Sequence, residues 1–128
     1  PGVIFTGGEP ALQLDAELVA AFKADGWETC IETNGSIDVS SLGLDFVTVS
    51  PKVAEHAIRQ MTADEVKYVR GYGQAVPKPK CKSDNNLISP AFNGLTQDRK
   101  AIQWCVSMVR ENPDWRLSIQ LHKNWMIR

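Results

Sequence analysis

The stretch "VIFTGGEP", Val3 to Pro10, decides the fold. Its first four residues read as a buried strand, rich in β-branched and aromatic side chains. Gly7 and Gly8 then leave the backbone bare, Glu9 adds a carboxylate and Pro10 stiffens the exit. Helical spacing follows. From Gln13 to Asp25, Leu14, Leu18, Phe22 and the Ala20-Ala21 pair recur on one face, and Gly26 fits a C-terminal cap. A second strand is expected at Glu28 to Thr33, where Thr29, Ile31 and Thr33 favour extended backbone. The unit is therefore strand, helix, strand.

Outward from that unit the pattern continues. "NGS" turns the chain, and Phe46 to Ser50 reads as a third strand stopped by Pro51. Val53 to Met61 fits a short helix or a lid-like loop. "TADE", Thr62 to Glu65, has the form of a capping box, but the alternation over Val66 to Arg70 favours a strand. Val76 to Asn86 is a Pro/Lys/Asn-rich loop, and Leu87 to Ser89 is a short strand before Pro90. "TQDRKAIQWCVSMVREN" is the clearest helix, with Thr96 as its cap, Ile102, Cys105, Val106 and Val109 on one face, and Pro113 beyond its end. Trp115 to Leu121 alternates as a final strand should. Helices set between strands predict an α/β fold with a largely parallel sheet, occupying residues 1–128 as one domain.

The net charge of −1 leaves no field to hold a nucleic acid, and the apolar runs are far too short to span a membrane. Three cysteines, at 30, 81 and 105, contain no C-x-x-C pair, so a zinc knuckle or self-contained iron–sulfur site has no support. Cys30 and Cys105 lie in apolar patterns and read as buried thiols of a reduced, cytoplasmic protein; Cys81, among lysines, reads as an exposed loop thiol. Lys78, Lys80 and Lys82 lack interleaved aromatics and read as a solvated loop. The chain opens directly in a strand at Pro1, which is expected of a piece whose N-terminal part is missing; such a piece exposes sheet edge and apolar surface and tends to associate.

Parallel sheets place ligand chemistry at the carboxyl ends of their strands. After the successive strands stand "GGEP", "NG", "SPK" and "HKNWMIR". Each has an ordinary reading: a tight turn with an exposed Glu9, a plain turn, and a strand-stopping proline beside a solvated Lys52. Each also has a functional one. Glycines clear space for a ligand, Glu9 suits an ammonium group or ribose hydroxyl, and Ser50 with Lys52 suits a carboxylate.

"VIFTGGEP", "IETNGS", "VTVSPK" and "WRLSIQLHK" together resemble, in order and approximate spacing, the 7-carboxy-7-deazaguanine synthase family of radical S-adenosylmethionine (SAM) enzymes. That family contracts 6-carboxy-5,6,7,8-tetrahydropterin in queuosine biosynthesis. The resemblance implies a partial (β/α) barrel of the radical SAM type, here truncated at its N-terminus, in a homodimer. It implies that Gly7, Gly8 and Glu9 hold the methionine amino group of SAM. Glu32, Thr33 and Asn34 face SAM or substrate, and Ser50 and Lys52 lie near its carboxylate and ribose. Thr6, Gln120, His122 and the terminal Arg128 are implied at the pterin. A [4Fe-4S] cluster and Mg²⁺ are implied for the whole protein, but the family's cluster cysteines precede the "GGE" strand, and Cys30, Cys81 and Cys105 match neither their spacing nor their position. Ser89-Pro90 and Leu121 depart from the family pattern near the pterin. Two alternatives stay open: another radical SAM activating enzyme, and a cluster-less barrel that binds a nucleotide or partner.

Overall fold

The computed structural model describes residues 1–94 and 96–120. They fall into two compact units. The first is Pro1–Val66 with Pro79–Asp84, and the second is Lys67–Lys78 with the chain from Asn85 onward.

The first unit is the strand–helix–strand pattern of the sequence. β1 (Gly2–Phe5), β2 (Glu28–Thr33), β3 (Phe46–Val49) and the start of β4 (Thr62–Arg70) lie side by side in that order. All three pairings are parallel, with Phe5 opposite Ile31, Thr33 opposite Val49, and Val49 opposite Val66. α1 (Ala16–Ala24) crosses between β1 and β2. Asp15 caps it by accepting from the Leu18 N–H at 2.8 Å, while Glu17 in its first turn and Lys23 in its last complement the helix dipole. Val19, not Leu18, is the residue it buries. Phe22 stands edge-on to both Phe5 (5.6 Å between centroids) and Trp27 (6.3 Å), which ties the helix to the strands on either side of it. Lys23 and Asp45 meet at 2.6 Å, and Asp45 also accepts from the Thr29 N–H and hydroxyl, both at 2.9 Å.

In the second unit the end of β4, the end of β5 (Lys82–Pro90) and β8 (Trp115–Leu117) are ordered β4-β5-β8. β5 and β8 are parallel, with Leu87 opposite Arg116. The Lys82 N–H donates to Met61 O and the Ala91 N–H to Arg70 O, so both strands advance by the same nine residues, a parallel register. β6 (Phe92–Asn93) and β7 (Thr96–Gln97) form a small antiparallel hairpin that leads into α2 (Arg99–Glu111). α2 buries Ala101, Cys105 and Met108. Tyr68 packs edge-on to Trp115 at 6.0 Å, and the Trp104 indole donates to Gln74 O at 2.7 Å.

Four expectations are corrected and one boundary moves. β1 is not buried: β2 is its one neighbour among the described residues, and Ile4 is 65% exposed. The strand favoured over Val66 to Arg70 is present but begins earlier, at Thr62, so that "TADE" forms the first part of the nine-residue β4, with Glu65 paired to Thr48. β5 replaces most of the expected loop before Leu87. Thr96 belongs to the β6–β7 hairpin, and Asp98 caps α2 instead, accepting from the Lys100 and Ala101 N–H groups. Val106 is 37% exposed, so the buried stripe of α2 runs along Ala101, Cys105 and Met108. The Val53–Met61 segment holds one 3-10 turn, Glu55–Ala57. Among the described residues no helix is long and apolar enough to cross a membrane.

Candidate functional site

The carboxyl ends of β1, β2 and β3 converge on one cleft of about 130 Å³ in the first unit. Its lining is Thr6, Gly7 and Gly8 after β1, Glu32, Thr33 and Asn34 at the end of β2, and Ser50 and Lys52 after β3. Eight of the residues singled out from sequence thus meet at one place. The physical reason is the parallel register: Phe5, Thr33 and Val49 end adjacent strands pointing the same way, so whatever follows each strand shares an edge.

Gly7 and Gly8 adopt φ of +83° and +46°, a region that L side chains rarely enter, and a Cβ on either would meet no atom within 4 Å. Open space therefore lies in front of bare backbone. The Ser50 N–H donates to Thr33 O at 2.8 Å and carries the β2–β3 pairing one step past the end of β3. Pro51, which has no N–H, then turns the chain away, and Lys52 follows, exposed, with no ion-pair partner among the described residues. Asn34 is held by its own turn: its Oδ1 accepts from the Ser36 N–H at 2.8 Å.

Glu9 does not line this cleft but, with Thr6, Gly7 and Gly8, lines a neighbouring open cavity of about 470 Å³. Its Oε1 accepts from the Thr33 hydroxyl at 2.5 Å and from the Ala11 N–H at 3.1 Å, and its Oε2 accepts from the Asn34 N–H at 2.7 Å. The Ala11 bond also caps the 3-10 turn Pro10–Leu12. Thr33 is buried, and its hydroxyl oxygen accepts in turn from the Gly35 N–H at 3.2 Å. Sequence reasoning found the carboxylate but not these partners, which stand 24 and 25 residues away.

Gln120 lies elsewhere, in the second unit. With Pro90, Phe92, Ile102, Leu117 and Ile119 it lines a largely apolar cavity of about 260 Å³. Its Oε1 is buried and has no hydrogen-bond partner among the described residues. A buried acceptor left unpaired is costly. His122 and Arg128 lie outside the described residues. So does Leu121; the final strand expected over Trp115 to Leu121 ends at Leu117, and Ser118 to Gln120 are described outside it.

The cysteines do not form a metal site. Cys81 is buried, not exposed as expected, and burial with Glu55 nearby pushes its thiol up to about 11. Cys105 is buried and donates to Arg70 O at 3.4 Å; its thiol is also raised by burial. Cys30 is only half-buried, with its thiol raised first by burial and then by Glu28. Among the described residues no three His, Cys, Asp or Glu side chains gather as a metal site.

No protein-family model matches the chain. It is 37% identical over 130 residues to the 7-carboxy-7-deazaguanine synthase of Nitratidesulfovibrio vulgaris, which covers 96% of the chain and 57% of that protein. It is 37% identical over 125 residues to that of Caulobacter vibrioides, and 38% over 126 residues to that of Burkholderia multivorans; each covers 94% of this chain and 57% of the relative. The chain spans just over half the length of these curated relatives. Among solved structures it resembles QueE from Escherichia coli, with a TM-score of 0.65, 24% identity, and coverage of 93% of this chain and 56% of that one. That likeness supports the α/β, mostly parallel fold expected from sequence.

Proposed function

We propose that this chain is part of a radical SAM lyase that converts 6-carboxy-5,6,7,8-tetrahydropterin to 7-carboxy-7-deazaguanine, as the names of its relatives suggest, and that the cleft at the ends of β1 to β3 receives SAM. The observation that carries the reading is the single cleft shared by Gly7, Gly8, Glu32, Asn34, Ser50 and Lys52. SAM carries an ammonium, a carboxylate and a ribose. The cleft offers bare backbone, a cation, a carboxylate and hydroxyl and amide groups, which is a fit in charge and in kind.

In this reading Lys52 binds the methionine carboxylate, having no competing ion-pair partner among the described residues. Ser50 and Asn34 orient the ribose, while the Gly7-Gly8 backbone lets the ammonium approach without a side chain in the way. Gln120, in the second unit, is assigned as an acceptor for one of the pterin's N–H groups. When bound beside a [4Fe-4S] cluster, SAM supplies radical chemistry. The cysteines of this chain do not fit that cluster, and its described residues do not fit Mg²⁺, so no step is assigned to either here. Three free cysteines suit a reducing cytoplasm, and the exposed Ile4 and Leu12 suit a homodimer or a larger assembly.

Titration with SAM, followed by NMR, tests the cleft. Lys52→Ala is expected to weaken binding by about tenfold, the scale of one charge-assisted hydrogen bond. Gln120→Leu should leave SAM binding unchanged. Equal affinity in the parent and in Lys52→Ala would overturn the assignment of the carboxylate.

A further inference from the structure

Glu9 is the acidic residue of the glycine turn, and a carboxylate there invites a direct bond to the ligand's ammonium. The geometry points to another role: Glu9 and Thr33 form a positioning pair that locks the ends of β1 and β2 together beside the cleft, without touching the ligand. The inference rests on the proposed SAM site for its link to binding, but the lock itself is a property of the free protein.

Four bonds carry it. Glu9 Oε1 accepts from the Thr33 hydroxyl and the Ala11 N–H, and Oε2 accepts from the Asn34 N–H. The Thr33 oxygen accepts from the Gly35 N–H. Both carboxylate oxygens are therefore engaged. The Thr33 hydroxyl both donates and accepts, and its side chain is 2% exposed. Three of the carboxylate's roughly four acceptor sites are therefore spent inside the fold, as is the one donor of the Thr33 hydroxyl. The cleft itself is lined by Gly7, Gly8 and Asn34 rather than by Glu9. Glu9 instead spans from the turn that carries the glycines to the backbone N–H of the residue that opens the "NGS" turn. It fixes the distance between two of the three strand ends that make the cleft. Its ionised form suits this: three donors converge on it, and bonds to a carboxylate are stronger than bonds to a neutral acceptor.

The two roles differ in what a substitution does. If Glu9 bound the ammonium, Glu9→Gln would weaken SAM but not 5′-methylthioadenosine, which has the same nucleoside and no amino acid. If Glu9 positions the cleft, both ligands lose affinity by a similar factor. The amide also turns an N–H₂ toward one of the three donors, so at least one bond of the lock is lost. Hydrogen exchange of the ligand-free chain should quicken at the Asn34 amide on the order of tenfold in Glu9→Gln. Thr33→Val should do the same, and Thr33→Ser, which keeps the hydroxyl, should restore protection. The double variant Glu9→Gln/Thr33→Val should be no faster than either alone, because the pair acts as a unit.

The proposal is overturned by loss of SAM binding alone in Glu9→Gln, or by Asn34 exchange that stays at the parent rate. Failure of the parent chain to bind either nucleoside would instead refute the SAM site, while the exchange data would still decide the lock.

Discussion

Gly35, the centre of the "NGS" turn after β2, should not tolerate a methyl group. It is buried, its φ is +80°, and a Cβ built on it would lie 2.9 Å from Val49 Cγ1 and 3.3 Å from Ile58 Cγ2. Two separate costs follow for Gly35→Ala. The left-handed backbone costs an alanine about 1 kcal/mol. The clash adds roughly 1–3 kcal/mol, because Val49 and Ile58 are wholly buried β-branched residues with few other rotamers to adopt. The turn cannot simply move away either: Gly35 O accepts from the Arg59 N–H at 2.7 Å and the Gln60 N–H at 3.1 Å, and its N–H is bonded to Thr33.

The expected total is about 2–4 kcal/mol, a large share of the roughly 5–15 kcal/mol that holds a typical domain. In urea, followed by circular dichroism, the midpoint should fall by about 1–2 M. Gly43→Ala is the control. Gly43 has φ of +73° with no atom within 4 Å of a built Cβ, so it isolates the backbone cost at about 1 kcal/mol. Equal losses in the two variants would refute the steric reasoning, since only Gly35 faces Val49 and Ile58.

Two further outcomes are expected. The Lys23 side chain, followed by the Thr29 N–H and hydroxyl, holds the Asp45 carboxyl at about 2, below its ordinary value of 3.8, so the stabilisation from this group is complete above that value and drains away as pH falls toward 2; Asp45→Asn should flatten the acid limb of a pH–stability curve, and an unchanged limb would count against the bond network. Cys30, only half-buried, should be alkylated first in the folded chain. Cys81 and Cys105 should react only on unfolding, as mass spectrometry of each labelled peptide would show, and prompt labelling of Cys81 near neutral pH would contradict its burial and its thiol at about 11.

Local patterns carried the first unit well. β2 lies where Thr29, Ile31 and Thr33 placed it, because alternation alone matches a strand whose buried face is set by those three residues. Where distant pairing competes with a local signal, the local signal loses. "TADE" has the residues of a cap, yet Glu65 and Val66 are drawn into register with Thr48 and Val49. Leu18 has helical spacing, yet Val19 meets the sheet, since which stripe of α1 faces inward depends on how it crosses β1 and β2. Cys81 is a different case, because the signal was present. "KPKCK" places Lys78, Lys80 and Lys82 on alternate positions, which leaves Cys81 on the opposite, inward face of the strand that begins at Lys82.

The candidate cleft was legible because each of its parts is announced by the residue that ends a strand. Gly7, Asn34 and Pro51 are strong local signals, and a parallel sheet brings the ends of adjacent strands together whatever else the chain does. The chemistry at those ends was less legible. Residue type alone made Glu9 a ligand for a cation, since a carboxylate beside two glycines reads as exposed. Its three bonds make it a brace, because a carboxylate's availability depends on which N–H and O–H groups reach it first. Here they come from Ala11, close in sequence, and from Thr33 and Asn34, reached only once β1 and β2 have paired. The same logic separates Lys52 from Glu9: Lys52 is exposed and has no ion-pair partner among the described residues. Residue type alone cannot tell the proposed contact, Lys52, from the proposed positioning residue, Glu9, because the bonds that distinguish them form only when the strands pair.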